Sequence, residues 1–236
     1  IGLSAIVGLL ATIMVTPAIA VTGMAANNTI GIFDSLPEYI RIDPLSQRNE
    51  LYAQVSSDPE DGYVKIADVF SENREEVRYD QIAETVIHAT LAAEDRRFYS
   101  HGGVDPQGIV RAALGNFAAG DITGGGSTLT QQLVKNIFIN QAIQQFPPGE
   151  ERNEAVRAAQ ETTLERKLNE AKLAIGLEKQ YSKDEIMLAY LNIAGFGGNT
   201  YGIEAAAQQY FGITAAELDI AQAASLLAIV QQPSAR

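Results

Sequence analysis

The chain has 236 residues, of which 46% are hydrophobic, and its formal net charge is −12. A chain of this length can bury one core of ordinary size, and its acidic balance argues against nucleic acid as a partner. It contains no cysteine, which excludes a disulfide framework and a thiolate metal site and leaves the compartment open.

The N-terminal segment is the most apolar part of the chain. Residues 1–33 contain no charged side chain, and the first charged residue is Asp34. Residues 1–20 are dense in Ile, Leu, Val and Ala and are long enough to span a bilayer, which takes about 20 residues. We therefore predict a transmembrane anchor over residues 1–33. A cleaved signal peptide is the alternative, with Ala18-Ile19-Ala20 as a cleavage-like triplet.

Residues 34–78 are predicted to form a connector with short extended segments. Leu51–Val55 and Tyr63–Phe70 flank the turn-forming stretch Asp58–Gly62, which predicts a β-hairpin. From residue 80 onward the pattern predicts helices to the end of the chain.

The first predicted helix runs over Asp80–Ala93, with the aspartate as its N-cap. Glu94 follows at its end, in the run E-D-R-R-F-Y-S-H that continues to His101. The negative end of the helix dipole disfavours the charged form of this carboxylate, which suits a general base working near neutral pH. A solvated ion pair with the neighbouring arginines is the alternative. Of the two histidines, His88 is predicted to pack in the core and His101 to orient the loop.

A glycine-rich turn, Gly124–Gly126, precedes the next predicted helix. Thr128 and Gln131 have the spacing of a capping box, and Gln132 and Lys135 share one helix face. Amides at the helix start, with a lysine one turn in, predict an anion site. A P-loop is excluded because glycine stands where its lysine is required. A simple glycine hinge before a capped helix is the alternative. The predicted buried stripe of this helix consists of Leu129, Leu133 and Ile137.

A long helix is predicted over residues 151–180. Arg166 and Lys167 lie four and three residues before Glu170, so both cations can flank one carboxylate. A solvated helix face is the alternative. The predicted core side of this helix carries Leu164, Leu168, Ala171 and Ile175. Capping boxes at Ser182–Glu185 and Thr214–Glu217, Gly212 at a helix end and a final helix over Ile220–Val230 complete the predicted elements.

These segments, in this order, resemble glycosyltransferase family 51, the peptidoglycan glycosyltransferase domain of class A penicillin-binding proteins. The matching runs are E-D-R-x-F-Y-x-H at Glu94–His101, G-G-S-T-x-T-Q-Q at Gly125–Gln132, R-K-x-x-E at Arg166–Glu170, and Y-L-N at Tyr190–Asn192 with the following F-G and Y-G-I-E-A-A-A. The resemblance implies a mainly α fold, a lysozyme-like helical domain of two lobes over residues 79–236. It also implies an N-terminal transmembrane helix and a small extended region before the first motif.

The implied reaction is polymerisation of lipid II by inverting transfer from a polyprenyl-pyrophosphate-linked donor to the GlcNAc 4-hydroxyl. The resemblance implies a catalytic set of Glu94, Asp95 and Glu170, with Glu94 as the base. The implied substrate- and pyrophosphate-binding residues are Ser127, Thr128, Gln132, Lys135, Arg166 and Lys167. Glu170 either orients Lys167 or holds a divalent ion, Mg²⁺ or Mn²⁺, at the pyrophosphate. No organic cofactor is expected.

The implied partners are lipid II, the growing glycan chain, membrane lipid and cell-wall assembly proteins. The implied location is the bacterial cell membrane, with one membrane span and an extracytoplasmic catalytic domain. Class A proteins continue into a transpeptidase domain, and this chain has no S-x-x-K motif with its partners, so we expect a piece of a longer protein.

Two departures from the family pattern stand out. Thr162 occupies a position where the family usually carries a phosphate-holding Arg, five residues before Lys167, and residues 141–157 form a polar insertion. Two other functions stay open. One is a lytic enzyme that cleaves peptidoglycan with Glu94 and Glu170 as its two carboxylates. The other is a non-catalytic, membrane-anchored scaffold for cell-wall assembly.

Overall fold

The computed structural model describes residues 39–56, 58, 62–70, 72–119, 125–161 and 163–231, and this part of the chain is mainly helical, as predicted. The helices are α1 Glu84–Ala93, α2 Pro106–Ala119, α3 Leu129–Gln145, α4 Glu150–Gln160, α5 Leu164–Gln180, α6 Lys183–Ile193, α7 Ile203–Phe211 and α8 Ile220–Gln231. The predicted anchor at residues 1–33 and Thr162 lie outside the described residues. Across the described ranges, no helix is long and apolar enough to cross a membrane.

Two small sheets accompany the helices. Strand β1, Asn49–Gln54, pairs antiparallel with β2, Tyr63–Val69, which confirms the predicted hairpin. Strand β3, Asn73–Arg74, pairs in parallel with β4, Thr200–Tyr201, a long-range pairing that the sequence did not predict. This second sheet joins the end of the connector to the turn that follows α6.

The predicted start of the first helix at Asp80 is wrong. Residues Tyr79–Gln81 form a separate 3₁₀ turn, and the Asp80 carboxylate pairs with Arg78 at 3.1 Å. Helix α1 begins only at Glu84 because Ala83 is extended and its N–H donates to the Ala215 carbonyl at 3.0 Å. The prediction of a core position for His88 is also wrong, since its side chain is 63% exposed.

The predicted helix over residues 151–180 is in fact two helices, α4 and α5. The break follows from a local cap: Thr163 is extended, and its hydroxyl accepts a hydrogen bond from the Arg166 N–H at 3.2 Å. The predicted core side of α5 is wrong as well, because Leu164 is 67% exposed. The buried face instead carries Glu170, Leu173, Ala174 and Leu177, so it is rotated around the helix axis relative to the predicted apolar stripe.

Helix α3 lies at the centre of the fold. Its predicted stripe, Leu129, Leu133 and Ile137, is buried, and the helix packs against α4, α5 and α6. Helix α1 packs against α8. The capping boxes predicted at Ser182–Glu185 and Thr214–Glu217 are both present, each at the start of a helical segment. The N-terminus of α3 contacts the loop after α1 through Asp95 and the start of α5 through Lys167.

Candidate active site

Glu94 is the C-cap residue of α1 and is partly buried. Its Oε2 accepts a hydrogen bond from Gln132 Nε2 on α3 at 2.6 Å. Its Oε1 is buried and has no hydrogen-bond partner within the described part of the chain. The neighbouring Arg97 pairs with Asp105 at 3.2 Å instead, so the alternative of a solvated Glu–Arg pair is not what the structure contains. One oxygen of Glu94 is thus fixed and the other is left to accept a proton.

Asp95 is buried and ties the first motif to α3. Its Oδ2 accepts from the Leu129 N–H at 3.1 Å and lies 2.8 Å from His101 Nε2, and its Oδ1 accepts from the Arg97 N–H at 3.2 Å. The carboxylate therefore stabilises the positive end of α3 and fixes the loop after Glu94. This geometry gives Asp95 a positioning role, with His101 as its partner.

The second motif forms the predicted capping box at the start of α3. The Gln131 N–H donates to Thr128 Oγ1 at 3.2 Å, and the Thr128 N–H donates to Gln131 Oε1 at 3.0 Å. The Thr128 hydroxyl also donates to the Gly103 carbonyl at 2.6 Å. Gly103 has a φ of +85°, and a Cβ there would lie 2.7 Å from backbone atoms of Ala174 on α5. The loop after the first motif thus touches both α3 and α5 through its backbone.

Glu170 joins the second and third motifs through a lysine. Lys167 Nζ donates to Glu170 Oε2 at 2.9 Å and to Ser127 Oγ at 3.0 Å. The Arg166 guanidinium donates to Glu170 Oε1 and to the Glu161 carbonyl. Both cations therefore flank one carboxylate, as their spacing predicted, and Glu170 is 1% exposed.

These contacts bear on the metal that the resemblance suggested. Both Glu170 oxygens already accept hydrogen bonds from cations, so this carboxylate does not fit a metal ligand in the observed arrangement. Among the described residues, no three Asp, Glu or His side chains cluster as a metal site would require. The donor set favours the orienting role of Glu170.

Lys135 interacts electrostatically with both Glu94 and Arg166. Burial, followed by the positive charge of Arg166, lowers the pKa of Lys135, while the Glu94 carboxylate raises it. Burial, followed by the charges of Arg166 and Lys135, likewise lowers the pKa of Lys167. We call Lys135, Arg166 and Lys167 the cation cluster. Arg166 and Lys167 share Glu170, and Lys135 repels both of these cations, an arrangement that a bound anion would relieve.

A cavity of about 600 Å³ borders one member of the cation cluster, Lys135. Gln132 and Lys135 line it on one side, and Glu72, Arg74 and Tyr201 line it elsewhere. Its volume falls within the range of about 300–1,000 Å³ typical of small-molecule sites. We call this cavity the cleft. It is lined by Gln132, which donates a hydrogen bond to Glu94, and by Lys135 of the cation cluster.

Two features of the cleft were missed by sequence reasoning. Tyr190 is fully buried, and its Oη has no hydrogen-bond partner in the described ranges. Burial, followed by the charge of Glu94, raises the pKa of Tyr190 well above its ordinary value. Tyr190 belongs to the Y-L-N motif, but the motif did not predict a role for it. No sequence signal indicated the buried Glu72–Arg74 ion pair, whose atoms lie 3.2 Å apart, or the Tyr201 ring beside Arg74.

The helical fold brings a carboxylate, Glu94, into electrostatic contact with a cluster of cations, and comparison with known proteins identifies the class of enzyme as a transglycosylase. Residues 63–236 match the family described as transglycosylase. The chain belongs to this family, and the predicted membership in glycosyltransferase family 51, the peptidoglycan transglycosylases, is confirmed.

Several curated relatives are similar over most of the chain. Penicillin-binding protein 1A of Aquifex aeolicus is 46% identical over 158 residues, which are 67% of this chain and 19% of the relative. Penicillin-binding protein 1A/1B of Bacillus subtilis is 41% identical over 172 residues, which are 72% of this chain and 17% of the relative. Penicillin-binding protein 1A of Neisseria lactamica is 37% identical over 172 residues, 72% of this chain and 19% of the relative. The chain thus spans about a fifth of the length of these relatives.

Proposed function

We propose that this chain polymerises lipid II into glycan strands by inverting glycosyl transfer. The observation that carries the proposal is the arrangement around the cleft. A carboxylate with one unpaired oxygen, Glu94, interacts electrostatically with a lysine of the cation cluster. A base for the acceptor and cations for an anionic leaving group are the two functions that this reaction requires.

On the acceptor side, Glu94 is the general base. Gln132 holds Oε2, which aims the free Oε1 at the 4-hydroxyl of the GlcNAc of lipid II. As the hydroxyl oxygen bonds to the donor carbon, its proton passes to Oε1. Positioned proton transfer of this kind typically contributes about 10²–10⁴-fold to the rate.

On the donor side, the cation cluster stabilises the leaving group. The bond between C1 of MurNAc and the pyrophosphate oxygen breaks as the new bond to the acceptor oxygen forms, and its electron pair leaves with the polyprenyl pyrophosphate. Attack from the face opposite the leaving group inverts the configuration at C1. Lys135, Arg166 and Lys167 meet the growing charge, and Ser127 and Glu170 hold Lys167 in place.

We propose that residues 1–33 anchor the chain in the bacterial cell membrane, with the catalytic domain outside the cytoplasm. The helices then form the two-lobed, lysozyme-like arrangement that the resemblance implies. The growing glycan chain, membrane lipid and cell-wall assembly proteins are its partners.

The lytic alternative fits the contacts less well. Glycosidases often use two carboxylates, one as an acid and the other as a base or nucleophile. Both oxygens of Glu170 accept hydrogen bonds from Arg166 and Lys167, so Glu170 is not free. A neutral glycan leaving group also has no use for three buried or half-buried cations.

The test replaces Glu94 with Gln, which keeps the shape but cannot take the proton. Polymerisation of lipid II should fall by about 10²–10⁴-fold while lipid II still binds. Glu84→Gln is the matched control, because Glu84 lies on the same helix with its side chain 86% exposed. Polymerisation by Glu94→Gln within a few-fold of the parent chain would refute the base assignment. Sugar released from sacculi without polymer formed from lipid II would favour the lytic alternative.

A further inference from the structure

A second cavity lies beside the cation cluster, in the region that the sequence marked as a polar insertion. It is an open groove of about 460 Å³ between α3, α4 and the start of α5. Its apolar lining consists of Phe138, Ala142, Phe146, Ala155, Ala158 and Ala159. We call it the α4 groove, because α4 supplies three of these side chains.

The alanines of α4 explain why the groove exists. Ala155, Ala158 and Ala159 are three and four residues apart and therefore share one helix face. The other positions of α4 are mostly charged or polar, so this face is the apolar exception on the helix. Short side chains on this face leave space beside Phe138 on α3 and Phe146 at the end of α3.

One end of the α4 groove reaches the cation cluster. Arg166 lines the groove, and the same guanidinium donates to Glu170, which also binds Lys167. Glu165 also lines the groove, and it is exposed on the first turn of α5. The groove therefore leads away from the place where Arg166 and Lys167 flank one buried carboxylate.

This combination selects one kind of occupant. A ligand that fits must join an anionic head, for the cation cluster, to a flexible apolar chain, for the alanine and phenylalanine walls. Free phosphate and glycan lack the apolar chain, and an acyl chain without a charged head lacks the anion. We infer that the α4 groove holds the isoprene units nearest the pyrophosphate of the lipid-linked donor. This inference rests on the proposed function and adds a lipid-binding subsite to it.

The test compares two probes on the purified full chain by calorimetry: inorganic pyrophosphate, and farnesyl pyrophosphate below its micelle concentration. Farnesyl pyrophosphate should bind at least about tenfold more tightly, because its isoprene units leave water for an apolar wall. Ala155→Trp, which fills the groove, should remove this advantage and leave the affinity for inorganic pyrophosphate within about twofold of the parent. Equal affinity of the parent chain for both probes would overturn the inference.

The controls separate lost binding from lost folding. Asn153→Trp adds the same bulk on an exposed position of α4 outside the groove and should leave both affinities unchanged. If Ala155→Trp fails to fold, Ala158→Glu replaces it, because Ala158 is exposed and a carboxylate there would lose its water against the isoprene chain. Equal loss of both probes in these variants would also overturn the inference.

The two proposals fail in different ways. Tighter binding of farnesyl pyrophosphate without polymerisation of lipid II would leave the groove assignment standing and remove the proposed reaction. Polymerisation of lipid II with no preference for farnesyl pyrophosphate would do the reverse.

Discussion

Replacing Asp95 with Ala should destabilise the fold far more than the loss of an ordinary surface carboxylate. The side chain of Asp95 is 5% exposed and accepts hydrogen bonds from the buried Leu129 N–H and the Arg97 N–H, with His101 Nε2 2.8 Å away. A buried polar group left without its partner costs about 1–3 kcal/mol. The Leu129 N–H and the His101 ring are both buried, so the free energy of unfolding should fall by about 2–6 kcal/mol.

Urea unfolding of the purified chain measures this loss. Asp80→Ala is the matched control, because Asp80 pairs with Arg78 on the surface and its removal should change the free energy by less than about 0.5 kcal/mol. Asp95→Asn keeps one accepting oxygen and should fall between the two. If Asp95→Ala unfolds like the control, the positioning role of Asp95 is refuted.

Three further outcomes are expected. As pH rises, kcat/KM should fall at a pH below 10.5, the ordinary pKa of lysine, because burial and the neighbouring cations lower the pKa of Lys167. Lys167→Arg should move this fall in kcat/KM to higher pH, because arginine keeps its proton. A fall at an unchanged pH would exclude Lys167 as its source. Glu170→Ala and Lys167→Ala should lower kcat along with kcat/KM, and their double mutant should be markedly non-additive, whereas rescue of Glu170→Ala by excess Mg²⁺ would point to the metal role. Tyr190→Phe should raise the free energy of unfolding, measured in urea, by up to about 1–3 kcal/mol, because it removes a buried hydroxyl that has no hydrogen-bond partner among the described residues. A loss of stability would show that the hydroxyl does have a hydrogen-bond partner.

The parts of the site that could be predicted from the sequence are those set by short spacings. Arg166 and Lys167 reach Glu170 because residues three and four apart meet on a helix, and the motif order marked Glu94 and Gln132. Capping boxes were predictable for the same reason, since a cap is decided within four residues. The hairpin followed from two apolar segments around a turn.

The parts that could not be predicted depend on contacts far apart in the chain. Lys167 meets Ser127 across 40 residues, and neither local pattern nor propensity specifies that contact. The start of α1 was misplaced because the Ala83 N–H is taken by Ala215, more than a hundred residues later. The core face of α5 was misassigned because the buried face includes Glu170, a charged residue that apolar periodicity treats as solvent-facing.

The backbone contact at Gly103 has a consequence for how this site can change during evolution. Main-chain atoms of Gly103, in the loop after Glu94, lie close against Ala174, one turn after Glu170 on the same helix. Side chains around a binding site can be exchanged gradually, each compensating for the last. Any residue with a Cβ at position 103 would instead have to push α5 outward in one step, and would carry Lys167 and Glu170 with it. Variation in specificity should therefore accumulate along the walls of the cleft and in α4, while the spacing of the reacting groups stays the same.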